Sequence, residues 1–138
     1  MEDLSFRTLP RARCIELLAT SPVGRVGVSV GALPAVLPVN FVVTGNRLVF
    51  RTAPGTKLGA ALSRSVVAFE VDAYHPAGEW GWSVLVQGVA CEITDPDELA
   101  EVRALPLRPW ALGERAARFV CVPLTFVSGR AFGRLPQP

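Results

Sequence analysis

Apolar and polar positions alternate along most of the chain, and turn signals interrupt the alternation at short intervals. Arg25 to Val30 shows the two-residue period of a strand. Gly31-Ala32 then turns the chain, and Leu33 to Thr44 reads as a long strand containing Pro34 and Pro38. Proline removes a ladder donor, so this strand is expected at a sheet edge or with bulges. Gly45-Asn46 is a hairpin signal, and Arg47 to Thr52 is the return strand. Val66 to Tyr74 places apolar Val67, Phe69 and Val71 opposite polar Glu70 and Asp72. After a Pro/Gly loop from His75 to Gly81, Trp82 to Thr94 reads as one long strand with a bulge or bend at Gly88. Arg118 to Ser128 and Gly129 to Phe132 are the last strands expected.

Three short helices interrupt this pattern. Pro10 to Ala19 carries Cys14, Leu17 and Leu18 on one face, with Pro10 suited to a first helical position. Lys57 to Leu62 is a second helix. Asp95-Pro96-Asp97 starts a third that runs through Leu105, with acids where the helix dipole favours them. Six or seven mainly antiparallel strands of this length close most readily into a small, six-stranded Greek-key barrel with peripheral helices. With no repeat, linker or low-complexity segment, residues 1–138 read as a single, mainly β domain.

Half of the residues are hydrophobic and the mean hydropathy is +0.36, which suggests that some apolar surface is covered by another subunit. The net charge of +2 comes from scattered cations, not from the basic groove with stacking aromatics that single-stranded nucleic acid needs. Cys14, Cys91 and Cys121 are odd in number and form no CxxC, so reduced cysteines in a cytoplasmic protein are expected rather than a disulfide framework or zinc site. Met1-Glu2-Asp3-Leu4 lacks the apolar region of a signal peptide. Glycines and prolines break the longest apolar run, Val26 to Val39, so a membrane span is not expected.

Several chemistries lack their residues. His75 is the only histidine, which rules out a multi-histidine metal site and leaves haem dependent on one loop imidazole. The chain has no GxSxG, GxGxxG or GxxxxGK[ST] motif. Glu70, Asp72 and Glu79 lie on or beside a strand whose other face is core, so they read as a solvated face rather than as paired catalytic carboxylates.

What remains is an anion corner. Arg51-Thr52 ends a strand, Pro54-Gly55 turns, and Thr56-Lys57 opens a helix. Backbone N–H groups, hydroxyls and two cations at such a junction suit a phosphate monoester. The alternative is an ordinary strand-to-helix turn with solvated cations. Trp80, Trp82 and Trp110 lie in or beside expected loops, where they could cover a planar ring or pack at an interface. A phosphorylated, planar, redox-active ligand would use both features, and it would bring its own chemistry to a chain that lacks catalytic groups.

At these residues the chain resembles the pyridoxamine 5′-phosphate oxidase-like, FMN-binding split-barrel proteins. The resemblance runs from about Leu9 to Arg134. It is carried by Leu37-Pro38-Val39-Asn40-Phe41, by Val49-Phe50-Arg51-Thr52 through Gly55-Thr56-Lys57-Leu58, by Gly81-Trp82-Ser83 through Gly88, by Pro109-Trp110 and by Ser128-Gly129-Arg130. It implies a homodimer of split barrels with a flavin in each of two interface clefts, no membrane and no nucleic acid. In that arrangement Arg51, Thr52, Thr56 and Lys57 hold the phosphate. Pro38, Val39 and Asn40 run along the isoalloxazine, Trp82 and Ser83 line the site, and Trp110 comes from the partner subunit.

The vitamin-B6 oxidases of this family carry a C-terminal segment rich in Arg, His and Trp that grips substrate, whereas here neither His nor Trp follows Trp110. The expected activity is therefore a flavin-dependent oxidoreductase acting on an unidentified small molecule, not pyridoxamine phosphate oxidation. The alternatives are a deazaflavin-dependent reductase of the same fold, a non-catalytic flavin carrier or sensor, and an empty barrel.

Overall fold

A computed structural model describes residues 5–52, 57–62, 64–107 and 118–137. Among these, nine strands form one antiparallel sheet: β1 (Arg7–Thr8), β2 (Val23–Val30), β3 (Leu33–Thr44), β4 (Arg47–Thr52), β5 (Val66–Tyr74), β6 (Trp80–Val89), β7 (Cys91–Glu92), β8 (Arg118–Pro123) and β9 (Phe126–Gly133). The spatial order is β1-β9-β6-β5-β2-β3-β4-β8-β7. Two of the nine, β1 and β7, have only two residues, so seven full strands stand where the sequence pattern gave six or seven. The three helices are α1 (Arg11–Leu18), α2 (Lys57–Leu62) and α3 (Pro96–Arg103).

The twelve-residue β3 belongs to two walls. Its first part pairs with β2 from Leu33↔Val30 to Asn40↔Val23, and its last four residues pair with β4 from Phe41↔Phe50 to Thr44↔Arg47. Pro34 and Pro38 lie in the first part, which no described strand flanks on its other side. The strand thus tolerates two missing donors because this stretch is an edge.

The far walls meet through the chain itself. β8 flanks β4, β9 flanks β6, and Leu124-Thr125 joins them directly, with the Leu124 N–H donating to Asn46 O at 2.9 Å. A methyl group on Gly88 of β6 would lie 3.5 Å from Val122 Cγ1 of β8. The walls therefore touch without a closing ladder, which makes the barrel split.

The interior is apolar. Val26, Phe41, Leu48, Phe50, Phe69 and Val84 belong to one buried cluster. The rings of Phe41 and Phe69 meet edge-on at 4.8 Å. Gly24 is needed here, since a side chain at that position would run into the Phe69 ring. A smaller cluster of Val49, Ile93, Val102, Leu107 and Phe119 lies outside β4 and β8, beneath α3. As a result β4 is covered on both faces.

Some expected details shift. Pro10 is the N-cap of α1 and not its first helical residue, although Cys14, Leu17 and Leu18 are buried as the periodicity required. Gly88 pairs in register with Val67, and the long strand breaks instead at Ala90, whose N–H donates to Ser65 O. The last turn falls at 124–125, whereas Gly129 continues β9 opposite Val84. Trp80 and Gly81 belong to β6 and not to the preceding loop, and Trp82 lies on the strand as the pattern placed it. The third helix follows the pattern: Asp95 caps it, its carboxylate accepting from the Glu98 N–H at 3.0 Å.

Candidate functional site

The end of β4 is the polar point of an otherwise apolar wall. Leu48, Phe50 and Thr52 project to the barrel interior, while Val49 and Arg51 project to the outer cluster, because neighbouring strand residues face opposite sides. Arg51 accordingly turns away from Thr52. Its Nη1 donates to Leu107 O at 3.3 Å, and its guanidinium lies 5.4 Å from the centre of the Phe119 ring.

Thr52 is the one buried polar residue among the described positions, at 5 % exposure. Its Oγ1 is fully enclosed and has no hydrogen-bond partner among the described residues. Leaving a buried hydroxyl unpaired costs about 1–3 kcal/mol, so Oγ1 is a donor that calls for an acceptor from outside the described residues. Five positions beyond Thr52, Lys57 opens α2. Thr56 and Trp110 lie outside the described residues, as does the side chain of Lys57.

A further cation stands at this corner. Arg118 is the ladder partner of Thr52 in β8, and its Nη1 is 3.6 Å from Glu92 Oε1. It lines a 440 Å³ cleft with Ala60 of α2, Arg64, Cys91, Glu92 and Thr94. The strand pattern could not reveal it, because β4 and β8 pair across a stretch of chain that carries β5, β6 and β7. Only the complementary pairing of a strand end with a strand start would have signalled it.

The other candidates divide between faces. Val39 and Trp82 are buried within the barrel core, each at 6 % exposure. Pro38 is exposed and Asn40 and Ser83 are half-buried, all three on the opposite, outer face of their strands. Asn40 and Ser83 are separated by β2 and β5, which at the usual spacing is about 14 Å. One chain thus does not gather the ring-side candidates into one contact.

The same outer face carries a charged cluster. Arg25 Nη1 lies 3.2 Å from Glu70 Oε1 and 3.1 Å from Asp72 Oδ2. The three line a 320 Å³ cleft with Gly27, Val36 and Ala68. Burial pushes the Glu70 carboxyl up to about 7, Asp72 adds to the rise, and Arg25 opposes it.

His75 closes a turn: its Nδ1 accepts from the Ala77 N–H at 3.1 Å. Among the described residues, no three His, Cys, Asp or Glu side chains gather as a metal site would require. No helix among them is long and apolar enough to cross a membrane.

Comparison with known proteins agrees with this architecture. The pyridoxamine 5′-phosphate oxidase family model matches residues 10–131. The uncharacterized protein Rv0080 of Mycobacterium tuberculosis is 40 % identical over 107 residues, covering 74 % of this chain and 70 % of its own. A Mycobacterium smegmatis structure described as an FAD-binding protein superposes with a TM-score of 0.77 at 36 % identity, over 92 % of this chain and 98 % of that one. A conserved Corynebacterium diphtheriae protein of unknown function, DIP1874, gives 0.77 at 34 % identity over the same shares. The chain belongs to the pyridoxamine 5′-phosphate oxidase family and has its flavin-binding split-barrel fold.

Proposed function

We propose that the protein binds a flavin through its phosphate and uses it as a redox cofactor for an unidentified small molecule. The observation that carries this reading is the enclosed Thr52 Oγ1, unpartnered among the described residues, with Arg118 opposite and α2 opening five positions beyond Thr52. A hydroxyl donor and a cation suit phosphate oxygens. Lys57 and Thr56 complete the corner in this reading. Arg51 acts from behind it, holding the end of β4 against Leu107 and Phe119.

FMN carries the phosphate as a monoester, and FAD carries the same ribityl phosphate as one half of a pyrophosphate. FMN needs nothing more, whereas the name of the similar M. smegmatis protein favours FAD. The bound flavin would supply hydride or electron transfer. The chain would bind it, orient it and keep water from its ring.

We propose further that the working unit is a homodimer. The outer-face positions Pro38, Asn40 and Ser83 would face the cofactor of a shared cleft, and Trp110 would enter from the other subunit. Exposed Leu33, Val36 and Val66, at 73, 71 and 74 %, support a covered face. Light scattering at micromolar concentration tests this, and a monomer mass near 14.8 kDa would refute it.

Isothermal titration with FMN and with FAD tests the phosphate assignment. Lys57→Ala is expected to weaken binding by about 1.5–3 kcal/mol, the range for a hydrogen bond to a charged group. Unchanged affinity would remove Lys57 from the site.

A further inference from the structure

Cys91 and Cys121 are far apart in sequence but are direct partners across the β7–β8 ladder. Both belong to the outer side of the sheet, where they border a 590 Å³ cleft with Thr44, Asn46, Arg47 and Glu101. Cys91 is exposed and Cys121 half-buried behind it. We propose that these two residues form a reversible dithiol–disulfide pair that reacts with low-molecular-weight disulfides.

The ladder phase fits such a bond. The Ile93 N–H donates to Phe119 O at 2.8 Å, and these two residues continue the register that opposes Cys91 to Cys121. Hydrogen-bonded and non-hydrogen-bonded pairs alternate along an antiparallel ladder, so Cys91 and Cys121 occupy the same kind of position as Ile93 and Phe119. Opposed Cα atoms there are about 5.5 Å apart. Disulfides span Cα separations of roughly 4.4–6.8 Å. Opposed Cβ atoms of such a hydrogen-bonded pair stand toward the far end of about 4.5–5.5 Å and must draw in to about 3.5–4.5 Å. The partner that would move is β7, a two-residue strand at the end of the sheet.

The chemistry balances with a small disulfide as oxidant. The Cys91 thiolate attacks one sulfur of the reagent, forms a mixed disulfide and expels one thiol. The Cys121 thiolate then attacks Cys91 Sγ and expels the second. The two protein thiol protons leave on the two released thiols, and the reagent is reduced by two electrons. Burial pushes the Cys121 thiol up and Cys91 adds to the rise, while the neighbouring Arg47 guanidinium offsets part of it. Arg47 is held in place by Glu98 at 3.1 Å. Cys14, sealed in the core at 0 % exposure, is the internal control.

The test is non-reducing peptide mapping by mass spectrometry of the full chain, after treatment with oxidised glutathione and alkylation of remaining thiols. The expected result is a Cys91–Cys121 linked peptide from a monomeric chain, an alkylated Cys14, and reopening of the bond by reduced glutathione. Cys121→Ser is expected to stop at a glutathione adduct on Cys91. Glutathione retained on Cys91 of the unaltered chain, two free thiols, a link between separate chains, or a bond that reduced glutathione cannot reopen would each overturn the proposal.

Discussion

Thr52 stands opposite Arg118 across the β4–β8 ladder, so an enclosed hydroxyl without a described partner and a half-exposed cation share one rim of the barrel. Thr52→Val keeps the shape and removes the hydroxyl. The flavin-free protein should be as stable as the parent or more so, since an unpaired buried group disappears. Flavin affinity should fall by about 1.5–3 kcal/mol if Oγ1 donates to a phosphate oxygen. Thermal unfolding without flavin and calorimetric titration with it check the two halves. A less stable variant with unchanged affinity would contradict the assignment.

Arg118→Gln should reduce flavin affinity, and the affinity that remains should depend less on salt, because a charge contact is lost. Titrations at low and high ionic strength measure this. Equal salt dependence in both proteins would place Arg118 outside the phosphate site.

Gly129 lets α1 settle on β9. A methyl group at that position would stand 2.6 Å from Cys14 Sγ and 3.1 Å from Ser83 O. Gly129→Ala should therefore destabilise the chain by about 1–3 kcal/mol, as overpacking does, through displacement of the helix. Urea unfolding gives the value. A variant as stable as the parent would mean that α1 can lift at no cost.

Glu70 should leave a signature in the pH dependence of stability. Its carboxyl is raised from 4.5 to about 7 in the folded chain, by burial first and by Asp72 second, against the pull of Arg25. Between those values the folded state holds a proton that the unfolded state has lost. The contribution is present in full below about 4.5 and is lost as the pH rises through about 7. Urea unfolding of the parent and of Glu70→Gln across this window should show the parent losing stability relative to the variant as pH rises. Parallel curves would contradict it.

Much of the barrel is legible locally. Alternation placed β3, β4 and β5, and the paired prolines at positions 34 and 38 marked an edge because the lost donors face no neighbour. The break at Ala90 was not legible, since it answers to Ser65, just ahead of β5, and the in-register pairing of Gly88 gives no bulge there. The proposed phosphate corner was visible as a strand end running into a helix start. That Arg51 and Thr52 face opposite ways follows from strand period alone, but the roles of the two faces depend on α3 and β8, which arrive from distant sequence. The opposition of Cys91 to Cys121 has the same origin: spacing along the chain carries no information about register across a ladder.

Flavin binding is decided by an absorption spectrum of the freshly purified protein, with mass identification of the species released by heat. A two-band flavin spectrum and the release of FMN or FAD are expected. A single deazaflavin-like band would contradict the flavin and leave the fold. A colourless protein that also fails to bind added FMN and FAD would contradict the claim itself.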